Sequence, residues 1–105
     1  MREAEETSDI LDLVKAFVAD ERNRFPICAA YLFGSWAYGE PRQDSDIDVG
    51  IVVDEKLGPE EEARLFSDAQ RMNWKIEPVI FARDYFEKAR LSIIHDMKTK
   101  GIRIA

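Results

Sequence analysis

The chain has little of what marks several large classes of protein. It has one cysteine, Cys28, which excludes an internal disulfide and makes a reducing cytoplasm the expected location. No apolar run approaches the roughly 20 residues that a membrane helix needs. The first residues, MREAEETSD, lack the apolar core of a secretion signal. We therefore expect a cytoplasmic protein that has no association with a membrane.

The chain also lacks an excess of basic residues. Its 15 lysines and arginines stand against 21 aspartates and glutamates, so the formal net charge at pH 7 is −6. This balance disfavours nucleic acid as a direct ligand, because non-specific contact with a phosphate backbone needs a basic surface. It is compatible with a small anionic ligand, provided that a metal ion lies between that ligand and any acidic side chains.

The length and the local patterns predict one domain with alternating helices and strands. At 105 residues the chain matches the commonest domain size, so a single domain over residues 1–105 is expected. Apolar spacing and turn residues predict the order α-β-β-α-β-α-β. Three longer helices are predicted. The first begins after Ser8 as N-cap, the second runs from Pro59 to about Asn73, and the third covers residues 84–100 in one or two pieces. The predicted strands are ICAAYLF, SDIDVGIVV, KIEPVIF and IRIA, and SWAYG is expected to form one short helical turn.

The strand SDIDVGIVV begins with acidic residues. Successive strand side chains alternate between faces, so Asp46 and Asp48 share one face, with their Cα atoms roughly 6.6 Å apart. The apolar residues at 47, 49, 51 and 53 occupy the opposite, core-facing side. Two unpaired carboxylates repel and raise each other's pKa, and a divalent cation removes that cost. Carboxylates at this spacing can converge on one Mg²⁺ or share two.

Two other interpretations stay open on these residues alone. An alternation of aspartate with apolar residues also suits a solvated strand face, although aspartate is depleted in strands. Asp44, Asp46, Asp48 and Glu55 also fall at positions one, three, five and twelve of a calcium-binding EF-hand loop. Against that second interpretation, Val49 stands where the loop needs a glycine for its sharp turn.

A Gly-Ser pair some ten residues upstream favours a nucleotide site. Gly34 lets the backbone come close to a ligand, and Ser35 can donate a hydroxyl hydrogen bond. The free N–H groups of a helical turn that starts there would form an anion site. Alone, this pair would be an ordinary turn. Together with the two aspartates it describes a phosphate cradle beside a metal site.

The stretch GSWAYGEPRQDSDIDVGIV resembles the signature of the DNA polymerase β-like nucleotidyltransferase superfamily, which has a Gly-Ser pair, a short loop and an Asp-x-Asp pair on a strand. The small size of the chain is similar to that of the minimal nucleotidyltransferases, the MntA-like antitoxin partners of HEPN proteins. The motif covers about a fifth of the chain, and the order of the other elements fits the core of the family. The resemblance implies an α+β fold with a mixed sheet of about four strands flanked by helices.

The resemblance also implies an activity, which is the Mg²⁺-dependent transfer of AMP from ATP to an acceptor hydroxyl with pyrophosphate leaving. In that pattern Gly34 and Ser35 hold the triphosphate, Asp46 and Asp48 bind Mg²⁺, and a third carboxylate on a later strand helps to activate the acceptor. The acceptor that the resemblance implies is a tyrosine of a HEPN-domain toxin. We expect no second helical domain for a small acceptor, which favours a protein acceptor or an acceptor site completed by a partner subunit. Two alternatives stay open: a catalytically weak module that neutralises its partner by contact, and a transferase acting on a small hydroxylated molecule.

Two positions, Glu77 and Tyr38, depart from the family pattern. Glu77 in KIEPVIF is the candidate third carboxylate and metal ligand, if its strand lies beside the acidic strand in the right register; the family more often has Asp here. Pro78 removes a ladder donor, which suits an edge strand or a bulge. Tyr38 stands where related sequences often carry an arginine that contacts phosphate, and Arg42 is the nearest cationic substitute.

Overall fold

The computed structural model describes the backbone of residues 3–42 and 44–105, and the side chains of residues 8–42 and 44–105. Its helices are α1 (Glu3–Glu21), α2 (Ser35–Tyr38), α3 (Pro59–Met72), α4 (Arg83–Lys88) and α5 (Ser92–Lys100). Its strands are β1 (Ile27–Phe33), β2 (Ile47–Val53), β3 (Ile76–Ala82) and β4 (Ile102–Arg103). Within the described residues, none of the helices combines the length and the hydropathy needed to cross a membrane.

The four strands form one mixed sheet in the order β3-β2-β1-β4. Strand β1 pairs antiparallel with both β2 and β4, whereas β2 and β3 are parallel. A parallel pair needs a crossover connection, and α3 supplies it. The expectation of a mixed α+β fold is confirmed. Pro78 lies in β3, which is an edge strand, and this is the position that its missing N–H group allows.

Helix α3 begins and ends as its sequence predicts. Gly58 is the N-cap and Pro59 is the first helical residue, and the N–H group of Gly58 donates to Glu61 Oε1 at 3.0 Å. At the other end, the N–H group of Asn73 donates to the carbonyl of Ala69 at 2.9 Å. A short link then leads into β3, so the position at which α3 ends fixes the position of Glu77, the candidate carboxylate on that strand.

The sheet is buried on both faces. The first face packs against α1 and α3, and on β2 it presents four fully buried residues, Ile47, Val49, Ile51 and Val53. The second face packs against α4 and α5, with Phe33, Val52, Phe81, Phe86, Ile94 and Met97 in one cluster. Met97 lies directly over Gly50, where a Cβ would collide with its sulfur. Helix α5 can therefore pack closely on the centre of this face.

The predicted starts of the first helix and of the acidic strand were wrong, and the last strand ends at Arg103, two residues before the predicted end. Ser8 is not the N-cap of the first helix, because α1 already begins at Glu3. Glutamate and alanine are good helix formers, and negative charge is favourable near a helix N-terminus, so EAEET continues the helix backwards. The acidic strand begins at Ile47 rather than at Ser45, which leaves Asp46 just outside β2. The last helical region is in two pieces, α4 and α5, one of the two forms expected.

Candidate active site

Asp48 and Glu77 lie side by side at one end of the sheet. They are register partners in the parallel pair of β2 and β3, whose backbones lie about 4.8 Å apart. Both side chains are on the face opposite to the buried Ile47 and Val49. Asp46 precedes β2 by one residue and is exposed. The sequence made Glu77 a candidate only if its strand lay beside the acidic strand in the right register. Strand β3 does lie beside β2, and the register places the Glu77 and Asp48 carboxylates next to each other.

The environment of Asp48 shows that these carboxylates affect one another. The pKa of Asp48 is raised, first by desolvation on burial and then by the negative charges of Asp46 and Glu77. Among the ion pairs between described side chains, none joins a lysine or arginine to any of the three. The charges of Asp46 and Glu77 thus repel that of Asp48, and a bound cation would relieve this repulsion.

The donor set fits Mg²⁺ in kind, because carboxylate oxygens are the ligands that this hard cation prefers. Asp46 and Asp48 would hold the ion, with Glu77 beside them. However, within the described ranges no three His, Cys, Asp or Glu side chains are arranged closely enough to hold a metal ion together. The carboxylates are therefore grouped at one opening without converging on one point.

Gly34 brings the backbone against the Asp48 carboxylate. The residue follows β1 directly and has φ 75° and ψ −154°, a region that is essentially restricted to glycine. Its neighbour Phe33 is the register partner of Asp48. A Cβ at Gly34 would collide with Asp48 Oδ2 and lie 3.1 Å from Asp48 Cγ. Glycine is thus required here by the conformation of the backbone and by the close approach of the carboxylate.

Helix α2 is a single turn that is anchored on both sides. The N–H groups of Ala37 and Tyr38 both donate to the carbonyl of Gly34, each at 3.0 Å. Trp36 is only 5% exposed, and its indole N–H donates to the carbonyl of Ser45 at 3.2 Å. This bond ties α2 to the segment that leads into β2, so the Gly-Ser pair and the aspartates are held together by packing as well as by strand pairing.

Arg42 is held in its loop by hydrogen bonds of its backbone. Its N–H group donates to Ser45 Oγ at 2.8 Å, and the N–H group of Ser45 returns a bond to the carbonyl of Arg42 at 3.0 Å. These bonds fix the backbone of the loop, while the Arg42 side chain is exposed. A role for Arg42 in binding phosphate stays a prediction. The cation that the structure does place beside the loop is Lys100, whose Nζ lies 5.8 Å from the centroid of the Tyr38 ring.

The calcium-loop interpretation of the acidic stretch is wrong. Residues 47–53 form β2, where an EF-hand loop would have to continue irregularly to its twelfth position. A fully solvated strand face is also excluded for Asp48, which is half-buried against the backbone of Gly34. A cation and phosphate site at these residues stays a prediction.

Comparison with known families and curated proteins gives matches over most of the chain. The family model for polymerase beta nucleotidyltransferases matches residues 14–105. A protein of Methanocaldococcus jannaschii, named as a candidate protein adenylyltransferase, is 26% identical over 98 residues, which cover 91% of this chain and 99% of that protein.

Three solved structures share the fold. A candidate nucleotidyltransferase from Sulfolobus solfataricus matches with a TM-score of 0.60 and 19% identity, over 98% of this chain and 86% of that one. A toxin–antitoxin complex with AMP-PNP matches with a TM-score of 0.63 and 19% identity, over 87% and 72% of the two chains. A mutant of the toxin–antitoxin complex MntA–HpeT, with two aspartates replaced by glutamate, matches with a TM-score of 0.58 and 14% identity, over 100% and 73%.

Proposed function

Because the chain belongs to the polymerase β nucleotidyltransferase family, we propose that it is a Mg²⁺-dependent enzyme that transfers AMP from ATP to a hydroxyl group of a protein partner. In this reaction the acceptor hydroxyl gives up its proton to Glu77, its oxygen forms a bond to the α-phosphorus, the bond from that phosphorus to the bridging oxygen breaks, and pyrophosphate leaves. The observation that carries the proposal is the register pair of Asp48 and Glu77, against which Gly34 brings the backbone.

Each residue of the site has a proposed role. Gly34 and Ser35 hold the triphosphate, because the backbone there is open to close approach and the hydroxyl can donate. Asp46 and Asp48 are the Mg²⁺ ligands. Glu77 completes the acidic group and helps to activate the acceptor hydroxyl, and Arg42 is a further phosphate contact. When bound, Mg²⁺ supplies charge stabilisation for the attacking and leaving oxygens.

The proposed biological role is that of an antitoxin whose partner is a HEPN-domain toxin. Two of the solved structures that share the fold are toxin–antitoxin complexes, and one of them contains AMP-PNP, an analogue of ATP. The other replaces two aspartates that are two positions apart, the same spacing as Asp46 and Asp48. The net charge of −6 favours a partner with a basic surface, and we place the pair in the cytoplasm.

Transfer of label tests the proposal. The full chain, co-expressed with the protein encoded by the neighbouring reading frame as the candidate toxin, is incubated with ATP labelled at the α-phosphate and Mg²⁺, and label is expected on that protein. Asp46→Asn, Asp48→Asn and Glu77→Gln should each abolish labelling. Asp44→Asn is the matched control, since Asp44 lies exposed on the same loop, and it should retain labelling. Equal loss of labelling in all four variants would contradict the assigned roles.

A second candidate is a binding module that neutralises the toxin by contact. The observation in its favour is that, within the described ranges, no three acidic or other ligand side chains converge on a metal position. This candidate predicts no labelling of the toxin. It also predicts tight toxin binding that is unchanged in the Asp46→Asn and Asp48→Asn variants, whereas the enzyme hypothesis predicts labelling that both variants lose.

A further inference from the structure

The candidate site has an acidic side and a cationic side, separated by the end of β1. The order of the sheet places Glu77 on β3, Asp48 on β2 and Gly34 at the end of β1. On the other side of β1 lies β4, where Ile102 is the register partner of Leu32. Strand β4 directly follows α5, so Lys100, the last residue of α5, lies at the same end of the sheet as the carboxylates.

The surroundings of Lys100 direct its side chain towards α2. Its ammonium group lies 5.8 Å from the centroid of the Tyr38 ring, and the N–H group of Tyr38 donates to the carbonyl of Gly34. A Cβ at Gly101 would lie 3.1 Å from the carbonyl oxygen of Leu32, so the chain after Lys100 is packed tightly on β1. The backbone of Lys100 is therefore fixed, and the aromatic ring gives its ammonium a preferred position.

The ammonium of Lys100 is only weakly engaged by acidic groups of the described residues. Its ion pair is with Asp96 at 3.9 Å, one turn earlier on α5, and the Lys100 side chain is 58% exposed. An exposed pair of this kind contributes little stability. The lysine can therefore turn to a stronger anion without a large cost.

We propose that Lys100 binds the β- and γ-phosphates of the nucleotide, from the side of the site opposite to the carboxylates. This assignment rests on the proposed function, in which the α-phosphate lies beside the carboxylates. Gly34 and Ser35, which hold the triphosphate in that function, lie at the end of β1, between the carboxylates on β2 and the end of α5 that precedes β4, so the β- and γ-phosphates come within reach of Lys100. They carry several negative charges that a metal ion at the carboxylates neutralises only in part, and a charge-assisted hydrogen bond from Lys100 offsets more of them.

Nucleotide affinity of the full chain tests the assignment. Dissociation constants for ATP and for AMP are measured with Mg²⁺ for the wild type, Lys100→Ala and Lys100→Arg. Lys98→Ala is the matched control, since it removes the same charge from the same helix, but its ammonium lies 4.8 Å over the Phe86 ring. We expect Lys100→Ala to weaken ATP binding about tenfold and to leave AMP binding unchanged. Lys100→Arg should stay close to the wild type, and Lys98→Ala should have no effect.

The outcomes separate this assignment from the function on which it rests. Unchanged ATP affinity in Lys100→Ala, an equal loss in Lys98→Ala, or a parallel loss of AMP affinity overturns the assignment alone. If the wild-type chain binds ATP but transfers no AMP, the proposed transfer fails, and the affinities still decide the role of Lys100. If the wild-type chain binds no ATP, both proposals are overturned together.

Discussion

At Gly34 two independent constraints meet, the backbone conformation and the contact with Asp48. Gly34→Ala is expected to lower the free energy of unfolding by about 1–3 kcal/mol, because φ 75° with ψ −154° is strained for any residue with a Cβ. It should also reduce ATP affinity, since the new methyl group displaces the Asp48 carboxylate. Urea unfolding and ATP titration measure the two effects.

Gly58→Ala is the control for that prediction. Gly58 has φ −76°, and the nearest atom to a Cβ there is Glu61 Oε1 at 3.8 Å, an ordinary contact distance. The substitution should leave ATP affinity unchanged and alter stability far less than Gly34→Ala. Equal ATP affinity in Gly34→Ala and the wild type would show that the approach of Gly34 to Asp48 has no role in binding.

The repulsion around Asp48 predicts how the protein responds to metal. Mg²⁺ should raise the melting temperature of the wild type, because an ion bound only by the folded state stabilises it by about 2.7 kcal/mol at 100 times its dissociation constant. Asp48→Asn should abolish this response and should not itself destabilise the metal-free protein, since it removes one of three mutually repelling charges. Differential scanning calorimetry with and without Mg²⁺ measures both. A response retained in Asp48→Asn, or lost equally in Asp44→Asn, would place the ion elsewhere.

At the scale of elements, α1 and α3 are joined by a buried acidic contact. Glu21 is fully buried, and its Oε2 accepts a hydrogen bond from Arg24 at 3.0 Å. Glu21 Oε1 and Asp68 Oδ2 are both buried, and among the described residues neither has a hydrogen-bond donor while both groups are ionised. Desolvation, the hydrogen bond with Asp68 and its charge, and more weakly the charge of Asp20, raise the pKa of Glu21 to about 7, against a lowering effect of Arg24. A proton on Glu21 Oε1 would let that oxygen donate to Asp68 Oδ2 and would so satisfy both unpaired oxygens.

This contact predicts stability that falls as the pH rises. The folded state keeps a proton on Glu21 up to about pH 7, whereas the unfolded state releases it near the ordinary glutamate pKa of 4.5. The contribution is therefore complete below pH 4.5 and is lost as the pH rises through about 7. Glu21→Gln, whose amide N–H can donate to Asp68 at any pH, should match the wild type in stability at about pH 4 and exceed it at about pH 8. Urea midpoints across that range measure the difference.

The control for the pH prediction is Asp20→Asn. Asp20 lies beside Glu21, but its side chain is 55% exposed and its ion pair is with Arg24. Its substitution should keep the fall in stability between acidic and neutral pH. A wild-type stability that does not change over that range would mean that Glu21 and Asp68 do not share a proton.

Local patterns predicted the elements well and their arrangement poorly. Pro26 and Gly34 bound the first strand, and Gly58 with Pro59 starts α3, because these residues act on the chain next to them. The prediction of Ser8 as an N-cap was wrong because a serine is also tolerated inside a helix when the residues before it favour helix. The parallel pairing of β2 with β3 depends on contacts between residues far apart in sequence, so no local pattern fixes it.

The same distinction applies to the site. The Gly-Ser pair and the Asp-x-Asp pair could be predicted because each lies within one short stretch. The pairing of Asp48 with Glu77 could be stated only as a condition on the sheet. The approach of Lys100 to Tyr38 left no signal in the sequence, since it results from the antiparallel pairing of β4 with β1. The burial of Glu21 could not be predicted from the sequence either, because charged residues at a helix end are usually exposed.

At the scale of the whole molecule, the sheet lies between two hydrophobic clusters. Its first face packs on α1 and α3, and its second face on α4 and α5. The candidate site lies where β1 ends and β2 and β3 begin. The Asp46 and Glu77 side chains remain exposed there. The fold thus combines a rigid sheet, which sets the spacing of the carboxylates, with an exposed end at which a nucleotide and an acceptor can meet.

Because one sheet is shared by both clusters, we expect the chain to unfold in a single transition. Met97→Ala removes a fully buried side chain from the second cluster, and it should lower the free energy of unfolding by about 2–5 kcal/mol. Trp36 lies in the first cluster, so its fluorescence, recorded in a Trp74→Phe background, reports on the opposite face. The Met97→Ala shift should be equal in Trp36 fluorescence and in far-ultraviolet circular dichroism, as two-state unfolding requires. A shift seen in circular dichroism but not in Trp36 fluorescence would mean that the two faces unfold separately. The expectation of a single domain over residues 1–105 would then be wrong.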